Sequence, residues 1–512
     1  MKDAPPTMLP RTRTRSTRAM LVSLATASGV VLAAPVASAQ ADAGAAAEDT
    51  DTLQRSLRAL EERVRELETR QGSPATSPSP YLDEREPPFS RHDWTWLNGS
   101  NYQPASPLRI GPVTPTLSVD TAVAWQFSNP VDHTIFPTTT AARHGEFSLN
   151  LAYVGFELNG INTPAGGPIG RVEFQFGSYI ATIHGQDASL QRGFYLSNPT
   201  LSYVKQAGVG WHFHWLHGVN IEAGIFPSYI ALESYVPQEN WSYTHPFVSD
   251  FTPYYFAGLR TQIFPAENTK LELWFVNGWQ TFGRWHDALT GGYLFNWRPS
   301  GRLLLTHTAY FGQEQSRFAD PNSHSFRAYT DNYVQVLAFE DLGRAFFQRL
   351  AFCLVADVGY EYRGADAGRT AGGAPTPPNG VMMGYSLTAR VEWTRNFMST
   401  LRGDVFYDHG GAVVTALPLG SPYALPGNGD AANPYAWLGG GFAATMDWRP
   451  SPWVLARLEY AHREANQPYF SGPGGITGPN GLPPASDAER MSFRPDLRTS
   501  DDRVIANLTL RM

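Results

Sequence analysis

The strongest constraint on this chain is a period of two. From Thr116 onward apolar and polar residues alternate, position by position, over stretches of about 9 to 13 residues. In TLSVDTAVAWQF, Leu117, Val119, Val123, Trp125 and Phe127 share one face, and Thr116, Ser118, Asp120 and Gln126 share the other. In QRLAFCLVADVGYEYR the apolar face holds Leu350, Phe352, Leu354, Val358 and Tyr360, against Cys353, Asp357 and Glu361. In VMMGYSLTARVEWT it holds Met383, Tyr385, Leu387, Val391 and Trp393, against Ser386, Thr388, Arg390 and Glu392. Side chains repeat every two residues only in a strand, so the body of the protein is β-structure with one apolar and one polar face.

Length decides which β-structure. Soluble strands run to about five or six residues, whereas a strand crossing a bilayer at a tilt needs about 9 to 11. Aromatic rings gather at the ends of the apolar faces (Trp125, Phe127, Tyr360, Tyr362, Trp393, Trp448), where amphipathic rings sit at the headgroups of a bilayer. The reading is an all-β transmembrane antiparallel barrel. An open sheet edge in hydrocarbon leaves backbone groups unpaired, so the strands must close into a ring, and a large ring holds water.

The connections are of two kinds. Asn296-Trp297-Arg298-Pro299-Ser300-Gly301 and Asp447-Trp448-Arg449-Pro450-Ser451-Pro452 are near-copies of one tight turn; Trp393-Thr394-Arg395-Asn396 resembles them, and a fourth lies near Gly343. Between them run Gly-, Pro- and Asp-rich loops at 364–380, 409–434 and 464–501. Short turns at one end and long loops at the other are the asymmetry of an outer-membrane barrel. The spacing predicts sixteen strands joined by seven turns and eight loops, with both chain ends periplasmic; the alternation weakens at 146–159, 199–205 and 324–339, so fourteen strands is the alternative.

Upstream of the barrel, Arg11, Arg13, Arg15 and Arg18 precede an apolar stretch from Met20 to Ala34 and then Ala37-Ser38-Ala39, the pattern of a cleaved export signal over residues 1–39. In residues 40–71, Leu53, Leu57, Leu60, Val64 and Leu67 are spaced 4, 3, 4, 3, the seam of a short coiled coil. A helix that short is stable mainly through pairing with copies of itself, which predicts self-association; the plainer alternative is one amphipathic helix lying on its own domain. Residues 72–115 form a Pro/Ser-rich linker and periplasmic segment, and 116–512 the barrel.

Composition removes other classes. Forty-two per cent hydrophobic residues with 14 Trp is too apolar for disorder, and a net charge of −7 repels a phosphate backbone, so no nucleic acid partner is expected. One cysteine, Cys353, allows neither a disulfide framework nor a Cys-rich metal centre, and its parity makes it a small inward filler. His212 and His214 share a strand face near His217, but no neighbouring carboxylate or Cys completes a ligand set, and polar aromatic tips at the headgroups are the expectation. There is no phosphate loop, G-x-S-x-G or H-E-x-x-H, so no cofactor or catalytic residue is assigned.

Charges on the polar faces mark the lumen: Arg171, Glu173, Glu222, Arg260, Lys270, Glu272, Arg390, Glu392, Arg402, Asp404, Arg457 and Glu459. At mid-strand each would cost several kcal/mol against lipid, so they face water. For any one of them, pairing with a neighbour across the wall is the plainer role. The stretch from Pro227 to Pro253 is the candidate constriction: it carries Glu233, Glu239 and Asp250 with no Lys or Arg, together with Tyr229, Tyr235, Trp241, Tyr243 and Phe247. Folded inward it would favour cations or neutral solutes and offer rings to sugar faces; folded outward it would pack on the rim or on a neighbouring subunit.

GIFPSYIALESYVPQENWSYTHPFVSDFTPYYFAGLR (224–260) followed by FVNGW (275–279) resembles the OmpL-like β-barrel porins of bacterial outer membranes. A coiled coil ahead of a barrel is similar to trimeric substrate-selective porins. One departure is the end, Leu510-Arg511-Met512, where such barrels carry an aromatic residue. The resemblance implies a homotrimeric porin in outer-membrane lipid that admits small hydrophilic solutes by passive diffusion. Two other readings stay open: a membrane-embedded hydrolase, which would show turnover with little conductance, and a structural tether with a plugged barrel, in which residues 40–80 would matter more than any wall charge.

Overall fold

A computed structural model of the chain describes residues 108 and 110–512, except 159–162, 185–186, 188, 190–198, 235, 285–287, 289, 315–324, 363–378, 415–432, 434, 483 and 485. The export signal, the coiled coil, most of the linker and Tyr235 lie outside the described residues.

Sixteen strands form one closed antiparallel ring. They are β1 Val113–Gln126, β2 Phe147–Leu158, β3 Gly167–Phe176, β4 Val204–Phe213, β5 Val219–Pro227, β6 Tyr255–Ala266, β7 Thr269–Val276 and β8 Thr290–Ser300. There follow β9 Leu303–Gly312, β10 Phe326–Glu340, β11 Arg349–Tyr362, β12 Gly380–Thr394, β13 Phe397–Asp408, β14 Trp437–Ser451, β15 Val454–Ala465 and β16 Ser500–Arg511. Each pairs with the next in sequence, and β16 closes on β1 with Val119 opposite Leu510 and Trp125 opposite Val504. The barrel thus begins at Val113, three residues before the alternation becomes legible.

The two near-identical turns have one geometry. In both the ladder shifts register just before the reversal, between Trp297 and Ser300 and between Trp448 and Ser451. Pro299 and Pro450 have no N–H to donate, so the ladder cannot continue through them and bulges instead. Neighbouring turns are then tied together: the Arg298 N–H donates to the Asn268 carbonyl at 2.8 Å, and that of Arg449 to Asn396 at 2.7 Å.

The outer face is apolar and exposed. On β14 it runs Leu438, Phe442, Met446, Trp448. Ten residues of strand rise about 33 Å, which at a tilt of about 40° spans the roughly 25 Å apolar band of an outer membrane. Outward rings gather toward both ends of the ring of strands: Trp125, Phe147, Phe174 and Tyr362 near the loops, Trp297, Phe397 and Trp448 near the turns. No helix among the described residues is long and apolar enough to cross a membrane, so the crossing is made by strands.

The weak windows have a physical cause. β10 carries apolar residues on its inner face too, Tyr329 and Leu337, both buried. The segment 199–203 is a short 3-10 turn leading into β4, so it has no alternation to show. Where an inner face packs against protein instead of water, the contrast that marks a strand is lost.

A loop clamped across the barrel as candidate functional site

The inner wall is polar with buried apolar patches among the described residues, and in the largest of them Tyr229, Ile230, Trp241, Phe247, Val248 and Phe251 pack on Phe226, Trp274, Tyr310, Tyr329, Phe406 and Trp437. The first six belong to the connection 228–254, the others to the wall. This loop folds inward. It leaves the ring between β5 and β6 and meets β1, β7 to β10 and β12 to β16.

Two glycines in the wall receive it. A Cβ on Gly292 would stand 2.0 Å from the Tyr229 hydroxyl, and one on Gly384 2.7 Å from a Val248 methyl. The Tyr229 hydroxyl donates to the Ala309 carbonyl at 3.0 Å, and its ring stacks on Trp274 at 4.8 Å.

A loop has no ladder to satisfy its backbone, so the wall must do so. Arginines take the carbonyls. Arg390 donates to Trp241 at 3.2 Å, and Arg457 to Pro237 at 3.1 Å and Asn240 at 2.8 Å. Arg402 reaches the Thr244 carbonyl and Arg463 that of His245. Carboxylates take the N–H groups: Glu459 accepts from Tyr243 at 2.5 Å and Thr244 at 2.9 Å, Asp404 from Phe247 at 2.9 Å, and Asp331 from Ala231 at 2.8 Å. Hydrogen bonds with an ionised partner are about twice as strong as neutral ones, which suits a segment with few other restraints.

All the charged wall residues named from the alternation turn to the inner face, and nearly all are paired. Arg171 and Lys205 both hold Glu173, at 2.7 and 2.6 Å. Arg260 forks onto Glu222 (3.1 and 2.6 Å), Lys270 meets Glu272 at 2.9 Å, and Arg349 meets Glu392 at 3.3 Å. Arg390 and Arg457 converge on Asp447, at 2.9 and 2.6 Å, while Arg402 lies 3.6 Å from Asp404.

The loop carboxylates are also engaged. Asp250 lies 2.9 Å from Arg463 and accepts from Thr139 at 3.0 Å; Glu239 lies 3.2 Å from Arg511; Glu233 accepts from the Ser249 hydroxyl. Burial alone would raise the Asp250 pKa, but Arg463 and His245 bring it below the usual carboxylate range. The loop has no Lys or Arg of its own, yet β15 and β16 supply guanidiniums to two of its three carboxylates. Its rings are likewise committed to packing: Tyr229, Trp241, Tyr243 and Phe247 are all buried, and the Tyr243 hydroxyl donates to Asp120 at 2.7 Å. They are not open platforms for a sugar.

Several residues of this network were not singled out in the sequence. Asp447 belongs to a turn motif, Arg463 borders a long loop, and Lys205 and Asp331 fall in the weak windows. Asp120, which accepts from Tyr243, lies on the polar face that the alternation assigns, and parity is the signal that could have found it. His212 departs from the expectation of a headgroup tip: it points into the barrel and pairs with Asn220 at 2.8 Å, while exposed His214 meets the Thr163 carbonyl at 3.0 Å. No group of His, Cys, Asp and Glu among the described residues has the arrangement of a metal site. Cys353 is buried and free, on the inner parity.

On the side of the long connections lies a cavity of about 620 Å³, bordered by parts of 134–143, 178–182, 247–254 and 279–280.

Residues 112–482 match the family described as "Putative beta-barrel porin-2, OmpL-like". No curated protein matches the chain. Among solved structures, the outer membrane channel DcaP of Acinetobacter baumannii aligns at 10% identity over 78% of this chain and 97% of its own, with a TM-score of 0.45. The trimer form of Vibrio cholerae OmpT aligns at 9% identity over 79% and 100%, TM-score 0.44. An anion-selective porin from Comamonas acidovorans aligns at 8% identity over 78% and 99%, TM-score 0.43.

Proposed function

This chain belongs to the OmpL-like β-barrel porin family of the bacterial outer membrane, and from that premise we propose that it is a passive diffusion channel for small hydrophilic solutes, narrowed by the loop 228–254. The observation that carries this reading is the clamping of that loop to the inner wall by Arg390, Arg402, Arg457, Arg463 and Glu459. A loop bound on several sides of the lumen sets a fixed narrow point, and the charges around it set which solutes pass. Passage then needs neither catalysis nor energy coupling.

Recording in planar bilayers tests this. Discrete steps of ohmic current are expected, and silence over many insertions would count against a channel. In a salt gradient, the triple variant Glu233→Gln, Glu239→Gln, Asp250→Asn should move the reversal potential toward anion preference, because Arg463 and Arg511 lose their partners. An unchanged potential would take the loop carboxylates away from the narrowest point.

Assembly follows from the heptads at Leu53 to Leu67. Copies of such a coiled coil would stabilise one another, and the resemblance to trimeric porins favours three, so a homotrimer is the proposed functional unit. Deleting residues 40–71 should convert a trimer to monomers in detergent light scattering; a trimer that survives the deletion would place assembly in the barrels.

A further inference from the structure

We propose that the cavity of about 620 Å³ beside the clamped loop is a binding site for a neutral polyhydroxylated solute of the sugar class, an inference that rests on the channel reading and names what such a channel would favour. Its volume lies within the roughly 300 to 1,000 Å³ of small-molecule sites.

Charge is the first argument. Three ionic side chains border the cavity, and each is already neutralised by protein. Asp250 is held by Arg463 at 2.9 Å, Arg143 clamps Glu146 with contacts of 3.1 and 2.7 Å, and Arg327 forks onto Glu361. A charged solute entering here loses water and gains no counter-ion, which is unfavourable.

Hydrogen-bond polarity is the second. The threonine hydroxyls around the cavity have given their protons to protein acceptors: Thr139 to Asp250 at 3.0 Å, Thr182 to the Tyr179 carbonyl at 2.9 Å, Thr477 to Asp132 at 2.9 Å and Thr252 to the Ser249 carbonyl at 2.9 Å. Gln280 is engaged at both ends, donating to Ile183 at 3.1 Å and accepting from Tyr254 at 2.9 Å. A hydroxyl that has donated still offers lone pairs, so the wall presents acceptors. The complementary ligand is rich in O–H donors. The third argument is shape: Phe136 and Trp279, both only partly buried, border the same space, giving apolar ring surface for the C–H faces of a pyranose. A neutral molecule with hydroxyls around its edge and apolar faces meets all three conditions.

Isothermal titration of the full-length protein in detergent with maltotriose, and with citrate as the charged control, tests this. Maltotriose should bind and citrate should not. Trp279→Ala and, as a smaller change, Thr139→Val should each weaken binding about tenfold, the loss of one stacking contact or one acceptor. Absence of maltotriose binding, binding equal in both variants and wild type, or tighter binding of citrate would overturn the assignment. Calorimetry does not depend on current, so sugar binding with silent bilayers would sink the diffusion reading alone, and conductance without sugar binding would sink only the present inference.

Discussion

The carboxylate of Glu459 on β15 accepts hydrogen bonds from both the backbone N–H and the hydroxyl of Thr244, at 2.9 and 2.6 Å, although the two residues are 215 positions apart. One wall side chain thereby holds the middle of the inward loop. In Glu459→Ala these donors and the Tyr243 N–H lose their acceptor, at about 1–3 kcal/mol each if they stay buried and unpaired. The loop should loosen rather than the barrel unfold. Larger and noisier single-channel openings are expected, and a trace like that of the wild type would show that the other clamps suffice.

Asp447 neutralises two guanidiniums at once, Arg390 and Arg457, and both of these reach loop carbonyls. Asp447→Asn leaves two buried cations under-compensated, a change of about 3–5 kcal/mol. It should lower the temperature at which the barrel loses its compact electrophoretic mobility and shift the reversal potential toward anions. A shift in neither would mean that water reaches and screens this pair.

Glu314 lies in the connection after β9, and its carboxyl is pushed up to about 7 by burial, with the nearby Arg327 opposing the shift. Below about pH 4.5 the group is neutral whether or not the segment is folded. Between about 4.5 and 7 the folded form keeps a proton that the unfolded form has released, so its contribution to stability falls as pH rises, by at most about 3 kcal/mol, and levels off above that. Glu314→Gln should flatten this part of the pH–stability curve. An unaltered slope would place the titration elsewhere.

On the outer face, Leu387 sits at the middle of β12 and is exposed to the membrane, next to inward Ser386. Leu387→Arg should destabilise the barrel by about 2–4 kcal/mol in urea unfolding from liposomes, the cost of a cation at the bilayer midplane. A variant as stable as the wild type would contradict the assignment of this face to lipid.

How much was legible in advance differs by element. β11 and β12 were readable because one face meets hydrocarbon and the other meets polar groups, so each position carries the sign of its environment. The near-identical turns were readable because proline imposes the same bulge wherever it ends a ladder. β10 was blurred because Tyr329 and Leu337 face protein on the inside, and polarity no longer separates the two faces.

What the sequence determined by itself was the ring: a period of two over membrane-length strands, seven turns against eight loops, and closure forced by a solvent that cannot pair with a backbone edge. It also determined which charges lie on the inner parity, since alternation is a local property. The tertiary structure decided where the loop 228–254 goes and with whom each charge pairs. Thr244 meets Glu459, and Asp250 meets Arg463, across more than two hundred residues of chain. No periodicity encodes such contacts, because they depend on how the closed ring brings distant strands face to face across its lumen.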